Sequence, residues 1–265
     1  MRTPIIAASL GLTILMAQTQ PSLTKADMDR LMQELSNWGR WGKTDQMGTV
    51  NLITPAKRKA AAALVREGFS LSLSREADRA ASADNAQPFV QRMTSSSDSP
   101  DPMFAMDTFT IGYHNLAMTH FDSLSHMFYG GKIYNGYSQA AVNSGGAKQL
   151  AVTAFRDGIL SRGILMDIPW LKGVRYLELS TPIFPSDLEA WEKKTGIHVG
   201  TGDVVFVRTG RWARRAEKGP WNAGELAAGM HASCAQWFHK RDVAAIGSDA
   251  HGEVKPTMVE GVPFP

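Results

Sequence analysis

The stretch "MTHFDSLSH", Met118 to His126, sets two imidazoles and a carboxylate in the pattern H-x-D-x-x-x-H: His120, Asp122 and His126. In an extended strand, residues two apart point to the same face, about 6.6 Å apart along the chain. His120 and Asp122 would then project together, and two such ligands can converge on one ion at bonds of roughly 2.0–2.2 Å. An imidazole beside a carboxylate suits a borderline divalent metal, zinc or manganese. His126 lies six residues past His120, about 20 Å away along a straight strand. It comes close only if "SLS" turns the chain, and it is then better suited to be an acid or base beside a bound water than a ligand. The same distance keeps His114 away from the ion unless the strand bends. The competing interpretation is an edge strand with a solvated His and Asp. Against it, "FTIGYHNLAMTHF" is apolar enough to be buried, and burying Asp122 without a partner would be costly.

Other reactive side chains are scattered. Cys234, the one cysteine, sits in the apolar run "HASCAQWF", where a thiol behaves as a small hydrophobe. His231 and His239 lie eight apart on an expected helix and share roughly one face. Arg208 and Thr209 end an apolar strand and could reach a substrate carboxylate, or Arg208 could pack in a salt bridge. Trp38 and Trp41 flank glycines and would wall a pocket or pack in the core. "YGGKIYNGY" reads as a glycine-rich turn presenting Tyr134 and Tyr137, without the spacing of a phosphate loop.

The elements that must position these residues follow from hydrophobic spacing. The chain has 265 residues, 43% hydrophobic and 20% charged, with a formal net charge of +3. Its basic residues are scattered, which argues for no nucleic acid as a partner. "MRTPIIAASLGLTILMAQTQ" has the basic start, apolar run and polar flank of a secretory signal over residues 1–20. The run is shorter than the ~20 residues of a membrane span, so after signal removal no membrane anchor is expected and residues 21–265 form the exported, periplasmic protein. "TKADMDRLMQELSNWG" predicts an amphipathic helix capped by Thr24 or Asp27 and ended with help from Gly39. "TPAKRKAAAALVREG" predicts a second, from Thr54 to Gly68. "FSLSLS" alternates like a strand. Residues 80–101 are polar and turn-rich, a long surface loop. "FAMDTFTIGYHNLAMTHFD", "GILSRGILMDI", "GDVVFVRTG" and "VAAIGSDA" read as strands, the last three buried. "DLEAWEKKTG" and "GELAAGMHASCAQWFHKRD" read as helices, and "RTGRWARRAEK" as a solvated helix face or loop. Interleaved helices and short apolar strands, with no repeat or linker, predict a single α/β domain.

"THFDSLSH" resembles the core of the cyclase family of metal-dependent hydrolases, which includes kynurenine formamidase and isatin hydrolase. "NWGRWG", "GTVNLITPAKRKAAA", "FYGGKIYNGY", "DGILSRGILMDIP", "GDVVFVRTG", "AGMHASCAQWFHKRDVAAIGSD" and "VEGVPFP" extend the resemblance from Asn37 onward. It implies a swivelling β/β/α fold, a mixed sheet with flanking helices, and a homo-oligomer. It implies metal ligation by His120 and Asp122, with His126 as acid/base, in arylformamidase-like cleavage of a carbon–nitrogen bond in a small-molecule substrate, an aryl formamide or cyclic amide. The family signature H-x-G-T-H-x-D departs here at two positions: Leu116 stands for its first His and Met118 for its Gly. Family members continue past "VEGVPFP" with a segment that supplies a further His and an acidic ligand. Within these residues His231, His239, His251 and Glu253 are the other candidates. The departures keep a second expectation open, an exported small-molecule-binding relative without catalysis.

Overall fold

The computed structural model describes residues 22–264, so the signal expected over residues 1–20 lies outside the described residues. Helix α1 (Lys25–Glu34) begins where Thr24 predicts. The Thr24 hydroxyl accepts from the Asp27 amide at 3.2 Å and the Asp27 carboxylate accepts from the Thr24 amide at 3.0 Å, a reciprocal cap. It stops at Glu34, before Gly39 is reached. Helix α2 (Pro55–Ala62) is capped by Thr54 and stops well short of Gly68.

Next come a hairpin of β1 (Val90–Ser95) and β2 (Met106–Thr110), and a small pair, β3 (Val142–Asn143) and β4 (Gly146–Ala147). The rest alternates: β5 (Gly163–Asp167), α3 (Ile168–Lys172), β6 (Pro182–Ile183), α4 (Pro185–Thr195), β7 (Val204–Arg208), α5 (Arg211–Lys218), β8 (Gly229–Met230), α6 (Cys234–Lys240) and β9 (Ala245–Ser248). Strands β5, β7 and β9 form a parallel sheet in that order, with Gly163 opposite Val204 and Val204 opposite Ala245. Each crossover carries two helices and one strand of a second parallel pair, β6 with β8. This is the expected single α/β domain.

Of the three strands read as buried, β5 and β7 are buried on one face and β9 is only half-buried. Ile164, Met166, Val205 and Val207 point inward onto Ile168, Ile183, Leu188, Trp191, Trp237 and Phe238. On the other face Leu165 and Ile246 are each 49% exposed, the period-2 signature of a one-sided sheet. Two ion clusters brace the packed side. Asp203, with no exposed side-chain surface, takes Lys57 and Arg162 at 2.5 Å each, and Glu192 takes Arg241 at 2.8 Å.

Three expectations are corrected. "FSLSLS" forms no strand; among the described residues nothing pairs with its backbone, and Phe69, Leu71 and Leu73 stand in solvent. The helix expected over "GELAAGMHASCAQWFHKRD" is confined to α6. Gly229 lies so close to the Glu253 backbone that any Cβ would overlap it, and the His231 amide donates to Ile183 at 2.8 Å, extending the β6–β8 pairing. His231 therefore precedes α6 and shares no helix face with His239. Finally, residues 80–101 are not a featureless loop, for they contain β1 and a buried polar turn at Asp84 and Asn85.

Candidate metal centre

After β2 the chain does not stay extended. The Asn115 amide donates to Gly112 at 3.2 Å and the Met118 amide to Asn115 at 3.1 Å, two turns in succession. Tyr113 then clips this bend to the return segment: its hydroxyl donates to the Phe121 carbonyl at 3.1 Å and accepts from the Phe121 amide at 3.3 Å. The clip brings His114, next to Tyr113, against Asp122, next to Phe121. His114 Nδ1 is 2.9 Å from Asp122 Oδ1. The straight-strand distance that set His114 aside does not apply, and this residue was missed for that reason.

Of the other expected site residues, His126 joins this pair, whereas His120 stands at the edge of the cluster, outside the set of ligand atoms that converge within 4.8 Å. His120 Nδ1 is 2.9 Å from the Met118 carbonyl. A carbonyl only accepts, so Nδ1 carries a proton, and Nε2 is the ring nitrogen turned towards the carboxylate, 3.5 Å from Asp122 Oδ1. The "SLS" turn forms as well. The His126 amide donates to Ser123 at 3.0 Å, and Ser123 and Ser125 share a hydroxyl contact of 2.8 Å. This turn stacks His126 on His114, ring centroids 4.3 Å apart and planes 21° from parallel. His114 and His120 meet edge to face at 5.4 Å, with Tyr113 beside both.

One ligand atom from each of His114, Asp122 and His126 lies within 4.8 Å of the other two. The cluster is open: the Asp122 side chain is 43% exposed, and its neighbours "FTIGYHNLAMTHF" are mostly at the surface, not buried as their composition suggests. The desolvation argument against a solvated edge therefore lapses, and convergence of donors replaces it. Imidazole and carboxylate donors in this arrangement, with one ring held to a backbone carbonyl through its far nitrogen, fit a borderline divalent ion.

The remaining candidates lie elsewhere. Arg208 pairs with Asp167 at 2.8 Å, and buried Thr209 donates to Asp249 at 2.9 Å. The Cys234 thiol is buried against the Ile183 carbonyl, and burial pushes its pKa up to about 12, far from a nucleophile's. His231 is buried, its Nδ1 accepts from the Ser233 amide at 3.2 Å, and burial lowers its pKa. His239 ends α6. Glu253 pairs with Lys255 at 2.9 Å. His251 has a buried Nε2 without a partner among the described residues, and burial holds its pKa down. None of these joins the His114–Asp122–His126 group. Trp38 is 42% exposed beside Gly136, while Tyr134 donates to Asp45 at 3.1 Å and Asn135 to Gly42 at 2.9 Å. The glycine-rich turn thus docks the loop around Trp38 through Tyr134 and Asn135.

The one-sided parallel sheet with doubled crossovers has counterparts among known proteins. The Cyclase family model matches residues 50–253, and the chain belongs to this family. It is similar, at 30% identity over 82% of this chain and 76% of the other, to a crystal structure described as a novel cyclase, with a TM-score of 0.72. Isatin hydrolase A from Ralstonia solanacearum shares the fold at 20% identity and a TM-score of 0.50, over 80% of this chain and 79% of its own. No curated protein matches the chain.

Proposed function

We propose that this chain is a metal-dependent hydrolase of a carbon–nitrogen bond, arylformamidase-like, acting on an aryl formamide or a cyclic amide. The convergence of His114, His120 and His126 on Asp122, in a chain of the cyclase family, carries this reading. A fold neighbour that is by name an isatin hydrolase supports the substrate class, since isatin is a cyclic amide. Asp122 and His120 would hold a zinc or manganese ion, with His114 as a further donor where Leu116 offers none. Such an ion lowers the pKa of bound water towards 7 and polarises a carbonyl. His126, its ring plane fixed by stacking on His114, takes a proton from the attacking water on a ring nitrogen and returns it to the leaving nitrogen. The open face of the cluster admits the substrate. The same reading takes the protein to work as an exported, periplasmic homo-oligomer.

The second reading, a small-molecule-binding relative without catalysis, draws on Leu116 in place of the signature histidine. One experiment separates the two: zinc and manganese content per chain after dialysis, for the parent, Asp122→Ala and His126→Ala, beside turnover of an aryl formamide and of isatin. The hydrolase reading expects about one ion in the parent, loss of it in Asp122→Ala, and retention in His126→Ala with turnover down about 10²–10⁴-fold. An ion-free parent without turnover overturns it in favour of the binding relative.

A further inference from the structure

The bend that delivers His114 is itself held by a buried polar strut reaching back to the packed half of the molecule. Asn115, the residue after His114, uses all of its side chain. Its oxygen accepts from the Ala117 amide at 3.0 Å, and its amino group donates to Asn85 Oδ1 at 2.5 Å and to the Gln87 carbonyl at 2.8 Å. Asn85 has no exposed surface, and its own amino group donates to the carbonyls of Ala80 and Asp78 at 2.7 and 3.2 Å. Next to it, Asp84, 3% exposed, accepts from Arg211 at 2.8 Å and from Arg215 at 2.9 Å. Arg211 opens α5 directly after β7, and its amide donates to Asp249 at 3.1 Å. The chain of contacts therefore runs from the end of the parallel sheet through Arg211, Asp84, Asn85 and Asn115 to His114. Gly112, at the near side of the bend, seals the join: a Cβ there would meet the Gln87 side chain at 2.7 Å.

The neutral amide part of this strut contributes little net stability, because each group exchanges water for an equivalent partner. What it supplies is geometry, for a fully satisfied amide network admits one arrangement of its members. None of its residues reaches the cluster's donor atoms. We propose that Asn115, with Asn85 and Asp84 behind it, is the positioning residue for His114, and that this strut lets a histidine at 114 serve the ion where position 116 carries leucine. The proposal rests on the metal reading above.

The test is zinc affinity, measured by competition with a chromophoric chelator, for the parent, His114→Ala, Asn115→Ala and the double variant, with far-UV circular dichroism on each. Asn115→Ser is added, since its hydroxyl can still accept from the Ala117 amide while the donors to Asn85 and Gln87 are lost without an added charge. Expected are losses of about 10- to 100-fold for Asn115→Ala and Asn115→Ser, the range of indirect ligand support, and a loss at least as large for His114→Ala, which removes the donor itself. The double variant should bind no more weakly than His114→Ala alone, because both changes act through one ring. Undiminished affinity in both Asn115 variants overturns the positioning role while leaving the metal reading intact. Additive losses in the double variant overturn it too, placing Asn115's effect outside His114. A parent that binds no zinc overturns the metal reading and this proposal together.

Discussion

The stretch from Gly163 to Ser248 buries Met166, Ile168, Ile183, Leu188 and Val205 completely, whereas that from Phe69 to Phe109 leaves Phe69, Leu71, Leu73, Met103 and Phe109 largely in solvent. Both carry strand-like sequence. The first is a parallel sheet whose crossovers lay helices over one face, so its apolar side chains meet a second layer. The second is a hairpin with both faces open, and a two-stranded hairpin alone is marginal in water. The candidate chemistry belongs to the open half. It is joined to the packed half by the ion pairs and amides around Asp84 and Asn85 and by Phe121, edge-on to Phe155, which packs on the small cluster of Val50, Ile53 and Ala244. The difference teaches that much of the rigidity here is imported through polar contacts, which leaves the cluster accessible while fixing its shape.

The largest effects, similar in size, should come from the packed side and from the polar joint. Leu188, fully buried in α4, touches a core with no alternative filling, and Leu188→Ala should cost about 2–5 kcal/mol, read from the urea midpoint. A cost below about 1 kcal/mol would mean that this half is as loosely packed as the hairpin, and the contrast would fail.

The polar joint between the halves is the other. Asp84→Ala leaves Arg211, whose side chain is 2% exposed, without its carboxylate, and should cost about 3–5 kcal/mol. The same joint has a pH signature. Burial works to raise the pKa of Asp84, but hydrogen bonds from Arg215 and Ser82 and the charges of Arg215 and Arg211 outweigh it and hold the carboxyl below its ordinary value. Asp203, through Arg162 and Lys57, and Glu192, through Arg241, are lowered against burial in the same way. A depressed folded-state pKa gives stability that is present above the unfolded value, about 4, and is lost as pH falls through the folded one. Urea midpoints should therefore decline gently below about pH 6.5, where the unfolded chain protonates His231 and His251, which burial keeps neutral in the fold, and drop steeply below about 4 as the paired carboxylates protonate. A stability that rose on acidification would show these carboxylates unpaired in solution.

How much of this the residues announced depends on the kind of signal. Helix starts at Thr24 and Thr54 and the strands around Met166, Val205 and Ile246 were legible because caps and apolar runs are local. His120, Asp122 and His126 were legible from spacing, and the "SLS" turn from its serines. His114 was not, because its approach to Asp122 depends on Tyr113 bonding Phe121 and on Asn115 bonding Asn85, contacts between segments up to 30 residues apart. The hint available was Asn115 itself, a turn former placed where a strand was assumed. "FSLSLS" failed for the opposite reason: its local alternation is clear, but a strand also needs a partner edge. Arg211, read as part of a solvated basic face, became the buried end of the strut because Asp84 was hidden in a stretch that looked like plain loop.

The smallest effect belongs to the open half, and it sharpens the comparison most. Leu71→Ser and Phe109→Ser remove side chains 77% and 67% exposed, so in an isolated chain each should change stability by no more than about 0.5 kcal/mol. Equilibrium unfolding at two protein concentrations tells this from the alternative. If either variant costs more than about 1 kcal/mol, and the cost grows with protein concentration, these apolar faces are covered in solution by a second copy, as the expected homo-oligomer requires. If both are neutral at every concentration, the hairpin side stands alone, and the order of the cluster depends on the polar strut.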